Sequence, residues 1–293
     1  MDSQVSSPIV SRSTALRWTL IVPATALVWA LLHFLQAWLW PGLAPNAPVV
    51  VLSRAADLPG ALGIAVALLL LAGACRALLP SRPALFAVWA GAALWVATGG
   101  TIDEWLIRSQ PTPGPGGAAP YLALLPEWGF WSVMLVLTLA ICERDALRWS
   151  APGRGETLAG GAAALAIAVG ACVVLVILLT GPAASITRRG QVYFALAVGA
   201  FVGTLAGRTA TGVRSLAWYW PVCILAPLLG VALAAANPQL AAPYQNLNSI
   251  PSSGLARALP LEFVAVAFVG TLWSLRLVGA AEAELRPAGG GGA

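Results

Sequence analysis

The stretch LLPEWGFW, residues 124–131, opens an apolar run that ends at Cys142. Leu-Pro stands at its mouth, then a glutamate, then an aromatic, and no further charge appears until Glu143. A run of about 20 apolar residues has the length of a membrane-spanning helix. Proline is at ease in the first turn, where its missing N–H has no intrahelical partner anyway. A carboxylate beside it meets the positive end of the helix dipole, worth about 0.3–1 kcal/mol. Tryptophan is favoured at interface depth. The stretch therefore reads as a complete start of a membrane helix. ALPLEFVA, residues 258–265, repeats the arrangement ahead of a second run, with Pro260, Glu262 and Phe263 in the corresponding roles.

The whole chain follows this reading. Of 293 residues, 59% are hydrophobic and 9% charged, and the mean hydropathy is +0.83. A soluble domain carries about 25% charged residues, so this chain cannot cover a water-facing surface. The sequence predicts an all-α integral membrane protein with eight spans near 18–40, 60–79, 84–106, 121–142, 158–180, 191–211, 214–236 and 260–280. The tail 286–293 reads as disordered. The first apolar run exceeds the 7–15 residues typical of a cleaved leader and reads as a retained span.

All 16 basic residues are arginine, a bias that fits a bacterium with G+C-rich codons and places the chain in the inner membrane. With the N-terminus inside, eleven arginines fall in cytoplasmic segments and five in outer ones: Arg54, Arg108, Arg188, Arg189 and Arg257. Basic residues concentrate on the cytoplasmic side, so the expected topology is N-in, C-in, with Arg188 and Arg189 as its weakest point. The scatter of the arginines at helix ends carries no nucleic-acid signal.

Arg76 and Arg208 lie 132 residues apart, as do Arg82 and Arg214, while Pro126 and Pro260 lie 134 apart. The near-constant offset points to a duplication: a four-helix half over 1–145 and another over 146–285. Each half has an even number of spans, so the two insert the same way up, as a parallel repeat.

The polar residues exclude much chemistry. His33 is the only histidine and no lysine occurs. A bis-histidine haem, a two-histidine metal site and a P-loop are therefore excluded. Cys75, Cys142, Cys172 and Cys223 are far apart and form no C-x-x-C, so they read as small apolar residues. No cofactor is implied. On the outer side, Trp29, His33, Gln36 and Trp40 are spaced as one helix face, predicted to turn inward. Asp103 and Glu104 are expected at the outer end of the third span, and Glu127 and Glu262 open the fourth and eighth at the same level. Paired carboxylates near a histidine can hold a cation or move a proton, so His33, Gln36, Asp103, Glu104, Glu127 and Glu262 form a candidate outer-face site, against the plainer reading of separate helix ends. Gly199, Gly203 and Gly207 recur every four residues, a strip that admits a close helix neighbour. Pro221 and Pro227 predict a kink or break in the seventh span.

Three functional classes remain. One is a non-catalytic scaffold, assembly factor or accessory subunit, partnered by the bilayer and by copies of itself or another membrane protein. The second is a carrier of a small solute through the outer carboxylates. The third is an intramembrane enzyme, for which Ser132, Thr138 and Thr204 offer no nucleophile–base pair.

Overall fold

The computed structural model describes residues 19–40, 48–50, 58–102, 104–105, 122–148, 156–180, 189–236 and 254–285. Among them are eight α-helices and no strand: α1 (Ile21–Leu39), α2 (Leu58–Leu78), α3 (Ser81–Ala97), α4 (Leu125–Cys142), α5 (Leu158–Thr180), α6 (Arg189–Thr211), α7 (Val222–Ala236) and α8 (Pro260–Leu285). Seven segments are long and apolar enough to cross a membrane; in the seventh span that length includes the turn before α7. Proline marks two of the helix starts: Pro80 precedes α3 in extended backbone, and Pro126 lies in the first turn of α4.

Two helices depart from expectation. The third span was expected to run to 106, but α3 has 17 residues and stops at Ala97. The pair Gly99–Gly100 follows, and the N–H groups of Thr98 and Gly99 turn back to the carbonyls of Trp95 and Val96 at 3.1 and 3.0 Å. At 1.5 Å per residue α3 is about 25 Å long, short of a hydrocarbon core of about 30 Å. The seventh span is interrupted. A 3₁₀ turn, Leu216–Trp218, and the bend through Pro221 precede α7, which carries Pro227 inside it. Arg76 and Arg208 stand in the last turns of α2 and α6, as read from sequence. Arg276 does not close a helix, because α8 continues to Leu285.

α8 is the centre of the bundle. It packs against α3, α4, α6 and α7, and every residue from 255 to 268 is buried. Its spanning window is 72% buried, against 22% for those of α1 and α5, which lie at the periphery. Three edge-to-face aromatic pairs fasten it: Trp128 on Phe263 at 5.9 Å, Trp89 on Phe268 at 6.1 Å and Phe86 on Trp273 at 6.5 Å. The first joins the two Leu-Pro stretches directly. α1 packs on α2 and α3, and α4 on α2 and α3; α5 packs on α6 and α7, and α8 on α6 and α7; the contact of α2 with α3 has no comparable counterpart between α6 and α7.

The most extensive interface is α5 against α6. It is made by the glycine strip. A Cβ on Gly199 would lie 2.9 Å from Val176 Cγ2, one on Gly207 would lie 2.6 Å from the Ala164 carbonyl, and one on Gly203 would collide with the Ala168 carbonyl. Without a hydrophobic driving force in lipid, such backbone approach is a main source of helix adhesion. Hydroxyls inside the bundle serve packing: Thr138 accepts from Trp89 Nε1 at 3.0 Å, and Thr204 meets Thr271 at 3.4 Å.

Candidate functional site

α4, α6 and α8 begin, and α3 and α5 end, at one end of the bundle. Of the six residues read from sequence as an outer-face site, Glu262 lies in the network found there, with partners the sequence reading did not include. Glu262 is the centre. It lies in the first turn of α8 and is 2% exposed. Its Oε2 accepts the Leu259 N–H at 2.8 Å, so the side chain reaches back over its own helix start as in a capping box. Its Oε1 accepts from Arg189 Nη2 at 2.6 Å, Arg189 Nε at 3.1 Å and the Tyr193 hydroxyl at 2.8 Å.

Arg189 is the first residue of α6, and Tyr193 lies one turn along on the same face. Besides Glu262, the guanidinium serves the end of α3. Nη2 donates to the Val96 carbonyl at 2.6 Å and to Gly100 at 3.2 Å, and Nη1 donates to Gly99. The plane also lies 5.5 Å from the Tyr193 ring. All three guanidinium nitrogens therefore donate within the protein. This arrangement follows from the short α3. The Val96 carbonyl already accepts the Gly99 N–H, but a helix end leaves carbonyls without full intrahelical partners, and in an apolar surrounding each unsatisfied group costs several kcal/mol. A planar fork with five donors suits three carbonyls and a carboxylate together. Arg257 does the same for α5, donating to the Thr180 carbonyl at 2.8 Å while 5% exposed.

Of the other candidates, Glu127 is 1% exposed and accepts from Trp131 Nε1 at 2.6 Å, one turn along its own helix. Glu104 is half-buried, with its carboxylate against Gly100, the same residue that accepts from Arg189. It does not belong to α3, which stops seven residues earlier at Ala97. Asp103 lies outside the described residues. Gln36 turns inward and accepts from Trp95 Nε1 at 2.8 Å.

His33 does not turn inward. It is exposed and its ring stacks on Trp29 at 6.2 Å. The buried stripe of α1 is Ile21, Val28, Leu32 and Gln36, and His33 lies about 100° round the helix from Leu32. The four positions fall within about 60° of the helix circumference, but that stripe is centred about 70° away from the buried one, so within the helix only its edge at Gln36 turns inward. Gln36→Leu should lower stability by about 1–3 kcal/mol, because the buried Trp95 N–H loses its acceptor. Combining it with Trp95→Phe should recover most of the loss, and thermal melts of the three variants check this.

Arg189, Tyr193, Trp95 and Arg257 escaped the sequence reading. The signal present was an arginine set at the very start of an apolar run with a tyrosine four residues on. Among the described residues, no group of three His, Cys, Asp or Glu side chains could hold a metal ion, and all four cysteines are free and buried. No protein-family model, no curated protein and no solved structure matches this chain.

Proposed function

We propose that this chain is a multi-pass protein of a bacterial inner membrane, oriented N-in and C-in and built from a duplicated four-helix unit. Its role is non-catalytic: a scaffold, assembly factor or accessory subunit of a membrane complex. The observation that carries this reading is the engagement of Glu262. The carboxylate best placed to serve a solute is buried against Arg189, Tyr193 and a backbone N–H, and the arginine is committed to the end of α3. A group held this way fastens helices together. The duplication is supported by the neighbour pairs that recur in the two halves and by the contact of Trp128 with Phe263. The exposed ring of His33 weakens the carrier alternative, because it stands apart from the buried groups around Glu262.

The test is gentle detergent extraction at native expression, followed by crosslinking and mass determination. A stoichiometric partner subunit or a homo-oligomer is expected. A lone monomer, together with solute uptake in proteoliposomes, would overturn the scaffold reading in favour of a carrier. In that case the interrupted seventh span is the element to examine for motion.

A further inference from the structure

At the end of the bundle opposite Arg189, the first half gathers a basic rim. Arg76 stands in the last turn of α2, Arg82 in the first turn of α3, and Arg144 and Arg148 follow α4. Two contacts hold these helix ends side by side: Arg82 Nε to Glu143 Oε1 at 3.1 Å, and Cys142 Sγ to the Ala72 carbonyl at 3.6 Å. The rim holds four guanidiniums and two carboxylates: Arg82 pairs with Glu143, and Arg148 Nη1 with Asp145 Oδ1 at 3.4 Å, which leaves an excess of two positive charges. Arg76, Arg144 and Arg148 are exposed, and the Arg82 side chain is 42% exposed. Arg76 uses Nη1 on the Leu79 carbonyl at 3.4 Å, and Arg144 uses Nε on Ala140 at 3.2 Å. A guanidinium has five N–H donors, so both keep donors for an incoming acceptor. The matching residue of the second half is different: Arg208 is 6% exposed and donates to the Leu275 carbonyl at 3.2 Å.

We propose that this rim is a binding site for the headgroup of an anionic phospholipid. The arginines sit where helices leave the apolar core, at the depth of lipid phosphates. Arg meets phosphate oxygens through two parallel hydrogen bonds, and the excess positive charge complements an anionic leaflet. The assignment rests on the membrane-spanning fold and is independent of the scaffold role.

The test is native mass spectrometry of the whole protein, with phosphatidylglycerol and phosphatidylcholine of identical acyl chains offered in turn. Phosphatidylglycerol should be retained in preference. The double variant Arg76→Gln with Arg144→Gln should lower that retention roughly thirtyfold, at about a factor of five for each arginine at the surface, and leave phosphatidylcholine unchanged. The Arg76→Lys with Arg144→Lys variant should keep the preference, which separates charge from a failure to fold. Equal retention of the two lipids by the unsubstituted protein overturns the proposal. So does displacement by excess inorganic phosphate, which would assign the rim to the free anion.

Discussion

Replacing Arg189 by Leu should lower the melting midpoint of the solubilised protein by roughly 10 °C. Breaking one side of a buried ion pair is worth about 3–5 kcal/mol, and each kcal/mol moves the midpoint of a chain this long by about 2–4 °C. Two deficits arise together. Glu262, 2% exposed, is left buried without its counter-ion, and the Val96, Gly99 and Gly100 carbonyls lose the guanidinium, Val96 keeping only the Gly99 N–H. Glu262→Leu in the same chain should restore part of the stability, because the uncompensated carboxylate disappears while the three carbonyls stay uncapped. A double-mutant cycle isolates the coupling of the pair. Full recovery in the double variant would show that the end of α3 does not depend on Arg189. Arg189→Lys should fall between, because an ammonium is a point charge and cannot reach a carboxylate and three carbonyls at once.

Gly203→Leu should separate α5 from α6 and be as damaging. A Cβ at this position already meets the Ala168 carbonyl and lies 3.1 Å from the Cys172 nitrogen. Both are backbone atoms, which cannot rotate away. Even Gly203→Ala should lose about 1–3 kcal/mol. Gly199→Ala should lose less, because its nearest neighbour is the Val176 side chain. Gly170→Ala, on the open face of α5 with nothing within 4 Å, should be neutral or slightly stabilising, since alanine is the better helix former. Thermal melts of the four variants give the order. A result in which Gly170→Ala is as harmful as Gly203→Ala would mean that backbone contact is not what joins these helices.

What could be read from the sequence was local. The helix starts at Pro126 and Pro260, the glutamates in their first turns and the four-residue glycine spacing all declare themselves within one or two turns of chain. The end of α3 was hidden because Gly99–Gly100 lies in text apolar enough to continue a span, and hydropathy does not register a lost turn. The partner of Glu262 was hidden for a different reason. Arg189 is 73 residues away, and nothing near either residue names the other. The positive-inside count treated Arg189 and Arg257 as surface charges, whereas Arg189 is largely enclosed and Arg257 buried, each donating to the end of a helix. His33 was misplaced because periodicity shows that four positions share a stripe of α1 but not which side of the helix meets its neighbours; the buried stripe through Val28 and Leu32 is rotated away from it.

The 93 residues that separate Val96 from Arg189 also set an order of assembly. A ribosome delivers α3 well before it delivers the arginine that finishes it. Until α6 and α8 enter the membrane, the Val96, Gly99 and Gly100 carbonyls at the end of α3 lack the guanidinium that Arg189 supplies. The nascent protein therefore has an interval of vulnerability, in which an insertase or a wet insertion channel must shelter that end. A chain released early is left with an unfinished helix that membrane proteases can recognise. The guanidinium that completes α3 acts as a mark of completion, present only when the second half has arrived and docked.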